Sequence, residues 1–387
     1  MTTLSSPHSA PHSTEIAVVG AGIVGLAHAL AAARRGHRVT VFERSERAVG
    51  ASIRNFGMVW PIGQPPGPLR DRAMLSRQIW MDMATKGDFF YDPVGSLHLA
   101  YHPDELAVME EFVALAQPTG YAVQMLTAEE AAAKSQAAVT TGLLGALWSE
   151  TEVIVDAREA IATLPQVLQA TFNVEFRFGA TVTAIDSPQF TVNGETWTAD
   201  HIFVCSGADF ETLYPDLYQN SGITKSKLQM MRTSPQPQGY RIGPALCGGL
   251  TLTHYAAFAD CPSLPVLKQR IQAELSFAVD WHIHVMMSQN GLGELILGDS
   301  HEYALTFDPF DRTDINQFVL NYLRGFAQVP CLDIAATWHG IYAKLPGKTE
   351  FVAHPAPGVT LVNGLSGAGM TLSFGLAEEV MTTVLHR

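Results

Sequence analysis

Three glycines, Gly20, Gly22 and Gly25, have the G-x-G-x-x-G spacing that binds the pyrophosphate of a dinucleotide. The first glycine permits a tight turn, the second lets the backbone approach the pyrophosphate, and the third lets a helix pack closely on a strand. Ile23 and Val24 open that helix, whose free N–H groups and partial positive charge would face the phosphates. The spacing therefore predicts a phosphate cradle at this turn.

The surrounding elements fit this interpretation. The apolar run 16–19 predicts a buried parallel strand, 23–34 a helix and 39–42 a second strand. Glu43 follows at about the 20-residue distance typical of the acid that accepts hydrogen bonds from a ribose. The frame predicts an ADP-containing dinucleotide; the alternative is a glycine-rich turn in a core βαβ unit.

A second glycine-rich loop reads N-G-L-S-G-A-G-M-T-L-S-F-G over residues 363–375. A glycine loop that opens onto a helix presents N–H groups to an anion or to polarised oxygens. An ordinary turn before a surface helix is the alternative. The loop supplies the candidate cofactor-binding residues Gly364, Gly367, Ala368, Gly369, Met370 and Thr371.

Composition narrows the possible partners. The chain has 387 residues, 47% of them hydrophobic and 16% charged, with a net charge of −13. The sequence contains no lysine or arginine block, so we expect neither nucleic acid nor an anionic membrane as a partner. Four scattered cysteines indicate a reducing cytoplasm rather than disulfides. The 14 histidines include no H-E-x-x-H motif, so no metal is expected.

The stretch 16–33 is almost free of charge and could be mistaken for a membrane span. Its three periodic glycines and His28 argue against a span, and no other stretch is long and apolar enough. Residues 1–14 are polar and rich in serine, proline and histidine, which predicts a loose tail.

The order of predicted elements indicates two interleaved domains. A dinucleotide-binding domain is expected over 15–87, 146–212 and 325–387, and a second domain over 88–145 and 213–324. Strands are predicted at 228–232, 250–258, 281–288 and 293–300, with hairpin turns at 193–194 and 289–291. We expect the strand 334–342 to return to the first domain. This order is typical of two-domain flavoproteins rather than of a simple dehydrogenase.

These motifs together resemble the D-amino-acid oxidase, glycine oxidase and sarcosine oxidase family of FAD enzymes over nearly the whole chain. Four stretches carry the resemblance: the first glycine motif with Glu43-Arg44, G-A-S-I-R-N-F-G-M at 50–58, V-C-S-G-A at 204–208 after the strand 181–185, and the loop 363–375. The resemblance implies an α/β (α+β) fold, with a Rossmann-like FAD domain and a substrate domain on a mixed, mostly antiparallel sheet. It adds the cofactor-binding candidates Arg44, Ser52, Asn55, Phe56, Gly57, Met58, Val182, Ser206, Gly207 and Gly340.

The sequence departs from this family at residues 338–343, which read W-H-G-I-Y-A where amino-acid oxidases usually carry W-x-G-L-R-P. Tyr342 replaces the arginine that grips a substrate carboxylate, so a simple α-amino-acid substrate is not expected. Gly340 stands where sarcosine oxidases tether FAD to a cysteine, which implies dissociable, non-covalent FAD. The strand 295–299 lacks the oxygen-activating lysine, so oxidase and dehydrogenase both stay open.

The stretch 54–64, R-N-F-G-M-V-W-P-I-G-Q, resembles a subgroup associated with phosphonate degradation. That resemblance implies 2-aminoethylphosphonate or its N-methyl form as the substrate. A phosphonate needs several donors, and the candidates are Arg54, Gln64, His254, Tyr255, Tyr342 and Lys344. Each has an ordinary alternative: Arg54 could pair with the FAD pyrophosphate, His254 and Tyr255 could be sheet residues, and Lys344 could be a solvated loop charge.

The implied reaction is hydride transfer from the amine-bearing carbon to flavin N5, held ~3–3.5 Å away. The imine would then hydrolyse to an aldehyde, here phosphonoacetaldehyde, and ammonia or methylamine. Dioxygen or another acceptor would reoxidise the flavin. No dedicated base is required, although His254 or His339 could take the ammonium proton. The rivals are a glycine, D-amino-acid or sarcosine-type enzyme, a non-catalytic flavin-binding subunit, and a colourless NAD dehydrogenase.

Overall fold

The computed structural model describes residues 12–385, which form strands and helices in alternation. The strands are β1 (His12–Val19), β2 (Val39–Glu43), β3 (Met58–Val59), β4 (Tyr91–Asp92), β5 (Ser96–Ala100), β6 (Val123–Leu126), β7 (Gly145–Ser149), β8 (Val153–Val155), β9 (Glu175–Phe178), β10 (Val182–Asp186), β11 (Gln189–Val192), β12 (Glu195–Val204), β13 (Thr224–Thr233), β14 (Ala245–Cys247), β15 (Met286–Gln289), β16 (Leu295–Gly298), β17 (Glu302–Ala304), β18 (Ile334–Lys344), β19 (Phe351–Ala353) and β20 (Val359–Asn363). The helices are α1 (Ile23–Arg34), α2 (Pro68–Gly87), α3 (Pro103–Ala116), α4 (Ala128–Lys134), α5 (Ala157–Phe172), α6 (Pro215–Ser221), α7 (Leu264–Glu274), α8 (Ser276–Asp280), α9 (Thr313–Phe326) and α10 (Gly369–Leu385).

An eight-stranded sheet carries the first glycine motif, with β20, β12, β1, β2 and β9 side by side and parallel. Strands β20 and β2 and the carboxyl halves of β1 and β12 are apolar and mostly buried, as a parallel sheet covered by helices requires, whereas the edge strand β9 is largely exposed. The predicted βαβ unit is therefore confirmed, and α1 has the predicted bounds, 23–34. The sheet places the glycine turn at the carboxyl end of β1, where open α/β sheets bind their ligands.

The predicted tail is wrong for residues 12–14. His12, Ser13 and Thr14 extend β1 and pair with 197–199 of β12, so the strand starts four residues before the apolar run does. Edge pairing satisfies backbone groups whatever the polarity of the side chains, which is why composition did not indicate it. Residues 1–11 lie outside the part of the chain that the structure describes.

The hairpin predicted at Asn193-Gly194 is confirmed. Both residues have positive φ, 48° and 86°, as a two-residue type I′ turn between β11 and β12 needs. After this turn β12 runs for ten residues without a break. Its first half pairs with β11 and its second half with β20, while β1 follows its other edge. One strand thus joins the hairpin to the parallel core.

The second sheet has nine strands, mostly antiparallel, built around β13. β18 pairs with β13 along its whole length, from Thr224–Lys344 to Thr233–Ile334. The expectation that 334–342 returns to the first domain is therefore wrong. β7, at 145–149, also belongs to this sheet through β5 and β6. The predicted domain boundaries at residues 146 and 325 are therefore wrong, because they assign β7 and β18 to the first domain although both strands pair within the second sheet.

The strand predicted over 250–258 is wrong. Residues Gly249–Thr253 and Ala256–Phe258 form two short 3₁₀ helices, held by bonds such as His254 N–H to Thr251 O at 3.1 Å. Leu250, Leu252 and Phe258 are buried in the core, so their apolar alternation resembles that of a strand. The 3₁₀ geometry has a functional consequence, because it takes His254 out of any sheet.

Helices α1, α2 and α10 pack together over one face of the parallel sheet. The indole of Trp80 in α2 donates to the carbonyl of Met370 at 2.7 Å and so fixes the start of α10. α10 begins at Gly369, three residues earlier than its apolar pattern indicates. Within residues 12–385 no helix combines the length and hydropathy that crossing a bilayer requires.

Candidate functional site

A cavity of about 900 Å³ lies between the two large sheets. One end is lined by the β1–α1 turn and the carboxyl ends of β2 and β12, and the other end by β13, β15 and β18. The loops at 48–58 and 363–371 close its sides. Both predicted glycine loops therefore contribute to the same cavity.

The first loop leaves no room for side chains. Gly20 has φ +102°, and a Cβ there would lie 2.4 Å from the carbonyl oxygen of Cys205. A Cβ on Gly25 would lie 1.9 Å from the carbonyl oxygen of Gly20. Gly22 lines the cavity with an extended backbone, φ −70° and ψ 173°, at the N-cap of α1. These positions reproduce the roles of turn, close packing and open approach for the three glycines.

Glu43 ends β2 beside this turn. Its carboxylate accepts the N–H of Ala21 and the N–H of Ser45, both at 3.0 Å. A carboxylate offers about four lone-pair sites, so two remain for hydroxyls in the cavity. The hydroxyl of Ser52 accepts the N–H of Ile23 at 2.9 Å and ties the 50–58 loop to the start of α1.

The far end of the cavity is polar. Arg44 donates to Asp209 at 2.7 Å across its mouth, and Asn363 donates to the carbonyl of Gly207 at 2.8 Å. Val182 of β10 and Ser206 line the same region. This arrangement suits an adenosine, whose ring is apolar and whose ribose is polar.

The 50–58 loop is held by Asn55. Its side-chain amide donates to the carbonyls of Ala51 and Ser52, and its oxygen accepts the N–H of Gly57 at 2.8 Å. Gly57 has φ +70°, and a Cβ there would lie 2.0 Å from the carbonyl oxygen of Val155. Its role is therefore to let the loop pack on β8, and it does not line the cavity.

The second glycine loop contacts Trp60, which follows the 50–58 loop, and Tyr342 of β18. Thr371 in the first turn of α10 accepts the N–H of Trp60 at 2.9 Å. A Cβ on Gly367 would lie 3.5 Å from the hydroxyl oxygen of Tyr342. A Cβ on Gly340, in the neighbouring strand β18, would lie 3.3 Å from Arg54. Backbone from three segments thus surrounds the middle of the cavity.

The end of the cavity opposite Arg44 holds a cluster of three histidines, His254, His284 and His301, with Asp299. The rings of His254 and His284 lie 3.8 Å apart between centroids, and His254 and His301 lie 5.0 Å apart. Asp299 lies 2.9 Å from His284 Nε2 and 3.7 Å from His301 Nε2. His284 and His301 are buried, whereas His254 is exposed into the cavity.

The cluster and its neighbours have shifted acidities. Burial lowers the pKa of His254 well below its ordinary value, and His284 and His301 lower it further. Burial also lowers the pKa of His301, against the pull of Asp299. Burial raises the pKa of Tyr255 and of Tyr342. At neutral pH both tyrosines are therefore protonated donors.

Asp299 carries the negative charge of this end. Burial on its own would raise the pKa of its carboxyl, but the imidazoles of His284 and His301 outweigh burial, so the pKa lies below its ordinary value. The carboxylate is therefore ionised at neutral pH and holds His284 by its Nε2 side.

The cavity collects most of the residues predicted for the site. Those that line it are Gly20, Gly22, Ile23, Val24, Glu43, Arg44, Ser52, Arg54, Asn55, Phe56, Met58, Gln64, Val182, Ser206, Gly207, His254, Tyr255, Gly340, Tyr342, Gly367, Ala368, Gly369, Met370 and Thr371. Gly25, Gly57, Gly364 and Lys344 do not line it. Gly25 and Gly57 serve packing, and the ammonium of Lys344 turns to the hydroxyl of Tyr303 at 3.1 Å.

The sequence did not indicate Trp60, His284, His301 or Asp299 as site residues. His284 and His301 stand in the runs W-H-I-H and G-D-S-H beside β15 and β16, where they read as ordinary sheet residues. The three histidines come from separate segments, so no local motif could reveal them. Their ring nitrogens lie within 4.8 Å of one another, and the expectation that the histidines imply no metal stays a prediction.

The cavity fits FAD by the shape of its walls. Its two glycine loops approach with backbone alone, at positions where a Cβ would fill the space or clash. Glu43 supplies acceptors where a ribose is expected, and the N-terminus of α1 opens on the cavity between them. The residues present therefore suit an adenosine, a pyrophosphate and a planar ring system in that order.

Comparisons with known proteins agree with this geometry. The family model described as DAO, FAD dependent oxidoreductase, matches residues 15–382. Glycine oxidase of Geobacillus kaustophilus (strain HTA426) is 25% identical over 213 residues, which are 51% of this chain and 55% of that protein. The chain thus spans about half the length of the curated relative it matches.

Two solved structures share the fold. Glycine oxidase from Geobacillus kaustophilus has a TM-score of 0.76 at 20% identity and covers 97% of this chain and 95% of its own. L-proline dehydrogenase from P. horikoshii has a TM-score of 0.76 at 19% identity, with 97% and 94% covered. At these identities the likeness shows the fold alone, which confirms the α/β architecture predicted from the sequence.

Proposed function

Because the chain belongs to the DAO family of FAD-dependent oxidoreductases, we propose that it oxidises a small amine bearing a phosphonate. The best candidates are 2-aminoethylphosphonate and its N-methyl derivative. The products would be phosphonoacetaldehyde and ammonia or methylamine, and dioxygen or another acceptor would take up the electrons. The observation that carries the proposal is Tyr342, a neutral donor on the cavity wall.

FAD supplies the two-electron acceptor for the amine C–H bond when it is bound. Residues of both glycine loops would hold it, with the Gly20–Gly25 turn at the pyrophosphate and the 363–371 loop at the ring system. Gly340 leaves no sulfur on β18 for a covalent tether, and a Cβ at this position would lie 3.3 Å from Arg54. We infer non-covalent FAD.

On β18 the substrate end of the cavity has Tyr342 where an arginine fork for a carboxylate is expected. Arg54 also lines the cavity, and its Nη1 donates to the carbonyl of His339 at 3.1 Å, which leaves its other N–H groups for an anion. Arg44 is held by Asp209 at the other end. A tetrahedral phosphonate can instead accept from several single donors placed around it.

Those donors surround the histidine end. Tyr342, next to Gly367, lies between the flavin side and the histidines, with its ring centroid 6.5 Å from that of His301. Tyr255 faces the cavity and contacts His254, centroid to centroid, at 5.0 Å. We place the phosphonate at the histidines and the amine carbon near Tyr342. The protonated tyrosines would orient the substrate, and the buried walls would exclude bulk water.

The experiment mixes purified holoprotein anaerobically with 2-aminoethylphosphonate, N-methyl-2-aminoethylphosphonate, glycine, sarcosine and D-alanine, and follows flavin absorbance. We expect bleaching with one or both phosphonates and slower or no bleaching with the amino acids. A flavin that stays oxidised with both phosphonates would end the assignment. Flavin that persists in the precipitate after acid extraction would contradict non-covalent binding.

A second candidate is a glycine, D-amino-acid or sarcosine-type oxidase or dehydrogenase. The match to a glycine oxidase favours it, and bleaching with the amino acids in the same assay would select it. A flavin reduced by none of these amines would instead favour a non-catalytic flavin-binding subunit.

A further inference from the structure

Three imidazoles converge at the substrate end from separate parts of the chain. His254 follows a 3₁₀ helix, His284 precedes β15 and His301 follows β16. One ring nitrogen from each lies within 4.8 Å of the other two. His284 is 3% exposed and His301 4% exposed, and all three side chains line the cavity. The cluster thus has two fixed members and one, His254, that opens to the ligand space.

Hydrogen bonds determine which ring nitrogens are free. The Nδ1 of His301 lies 3.0 Å from the carbonyl oxygen of His282 and must donate to it, which leaves a lone pair on Nε2 in the neutral ring. The Nε2 of His284 faces the carboxylate of Asp299 at 2.9 Å, so its lone pair is on Nδ1. That Nδ1 is buried and has no hydrogen-bond partner in residues 12–385. A buried polar atom without a partner is destabilising, so a ligand that pairs with it would be favoured.

We propose that His254, His284 and His301 bind a divalent transition-metal cation whose remaining coordination position faces the substrate. The role in substrate binding rests on the proposed function, because that open position lies where the phosphonate is placed. The cation would contribute positive charge opposite a phosphonate dianion. It would also pair the orphaned Nδ1 of His284.

The ligand set matches this class of cation. Three neutral imidazoles suit Zn²⁺, Fe²⁺ and Ni²⁺, and three protein ligands with a free fourth position is the usual form of an open zinc site. Tetrahedral bonds of ~2.0–2.1 Å would bring the nitrogens closer than their present spacing. His254 makes no side-chain hydrogen bond within the described chain, so its side chain can rotate inward without loss.

Asp299 completes the arrangement as an outer partner. Metal-bound histidines usually donate their other N–H to a carboxylate or a backbone carbonyl, which fixes the ring and raises its basicity. The carboxylate of Asp299 lies 2.9 Å from Nε2 of His284 as a charged neighbour, and the carbonyl of His282 accepts from Nδ1 of His301. The buried negative charge of Asp299 also offsets part of the cation's charge. The positive charge of Lys344 opposes binding, but its ammonium points to Tyr303.

The rival explanation is that the cluster binds the anion directly. Protonated imidazoles could donate N–H groups to a phosphonate without a metal. The two explanations differ in one measurable respect, since only the first needs a metal for tight anion binding.

The first experiment uses chelator-treated holoprotein and titrates it with Co²⁺ and with Zn²⁺. We expect one equivalent to bind, with a cobalt ligand-field band at wavelengths beyond the absorption of oxidised flavin, and Zn²⁺ to displace it. His254→Ala is the principal variant because this side chain is exposed and bonds to no neighbour in 12–385, so the fold should tolerate it. It should remove the band. His102→Asn, which changes an exposed histidine at the N-cap of α3 to a residue favoured at that position, should keep it.

Asp299→Asn tests the outer partner and should weaken cobalt binding by roughly 10–100-fold. Wild-type protein that shows no cobalt band, or a His254→Ala variant that binds cobalt as the wild type does, would overturn the proposal. These readouts need no substrate, so they fail or succeed independently of flavin bleaching by aminophosphonates.

The second experiment adds methylphosphonate to the cobalt-loaded protein, with acetate as the comparison anion. Methylphosphonate should shift the cobalt band and acetate should shift it less. Metal-free protein that binds methylphosphonate as tightly as metal-loaded protein would overturn the cation's role and favour direct binding by protonated histidines.

Discussion

At the scale of single residues, His98 is the clearest case, among residues 12–385, of a buried polar side chain outside the cavity that lacks hydrogen-bond partners. It is fully buried in β5 between Trp60 and Phe258, and neither ring nitrogen has a partner in residues 12–385. Burial lowers its pKa to about 3. Its ring packs against the aromatic rings of Trp60 and Phe258, so the imidazole behaves as a neutral, mainly apolar filler of the core.

This residue makes stability depend on pH. The folded-state pKa of about 3 lies below the unfolded value of about 6.5, so the unfolded chain binds the proton first and stability falls as the pH drops below 6.5. We expect His98 to contribute about 1 kcal/mol to the loss between pH 7 and pH 5.5. His98→Leu should be as stable as wild type at pH 7 and less sensitive to acid. Urea unfolding at both pH values measures this.

The matched control is His282→Asn, which removes an exposed histidine and should leave the slope unchanged. His28, whose pKa burial lowers to about 4, should keep its own contribution in both variants. An unchanged pH dependence in His98→Leu would show that His98 is hydrated or paired in solution.

Tyr342 is the residue on which the substrate proposal turns. Tyr342→Phe removes one hydroxyl donor from the cavity wall, and a lost hydrogen bond of about 1 kcal/mol lowers kcat/KM roughly fivefold. Tyr303→Phe is the control, because Tyr303 lies outside the cavity lining. The measurement is kcat/KM for 2-aminoethylphosphonate in the wild type and both variants, at equal FAD content. Equal rates in all three proteins would remove Tyr342 from substrate binding.

At the scale of elements, predictions succeeded where local chemistry and period agreed. The helix 23–34 has a glycine at each end and an apolar strand on each side, so nothing competes with it. The segment 250–258 failed because alternating apolar residues bury equally well in a 3₁₀ helix. The strand 334–342 was predicted, but its position in the fold was not. Its pairing strand β13 is more than 100 residues away, and no local pattern indicates which strand it pairs with.

The same limit explains the candidate site. The cofactor loops are contiguous motifs with a mechanical role for each glycine, so they could be predicted residue by residue. The histidines are assembled only by the pairing of β15 and β16 and by the turn that carries His254. The residue types can be read from the sequence. The convergence of the three side chains cannot, because it depends on long-range packing.

Gly22 tests the first cofactor loop. Gly22→Ala keeps an allowed extended backbone but places a methyl group 3.1 Å from Ser52 Oγ, on the wall where the pyrophosphate is expected. We expect a folded protein that has lost most of its FAD. Gly325→Ala, in α9 with no atom within 4 Å of the new Cβ, should retain FAD and gain about 0.5–1 kcal/mol. The flavin-to-protein absorbance ratio and far-UV circular dichroism check both, and full flavin in Gly22→Ala would contradict the predicted approach.

At the scale of the whole molecule, the cavity joins two sheets and the two ends of the described chain. Its walls include the β1–α1 turn near residue 20 and the 363–371 loop, and β20 lies beside β12 in the same sheet. A cofactor bound there contacts segments that are remote in sequence but adjacent in space. Its binding energy therefore stabilises the folded chain as a unit.

Removal of FAD should accordingly lower stability. Free FAD at 100 times its dissociation constant would add about 2.7 kcal/mol, provided that the unfolded chain does not bind it. We expect the urea midpoint of flavin-stripped protein to rise as FAD is added back. Gly22→Ala should show little response over the same concentrations. An equal rise with AMP in place of FAD would indicate that the adenosine end alone accounts for the effect.

The position of β20 and the 363–371 loop also has a consequence for biosynthesis. The ribosome makes the β1–α1 turn first, yet the opposite wall of the cavity is translated more than 300 residues later. A nascent chain that has not passed Thr371 lacks the wall of the cavity that the 363–371 loop forms. Coenzyme loading must then be one of the last events in maturation, and chains arrested before that point would emerge colourless.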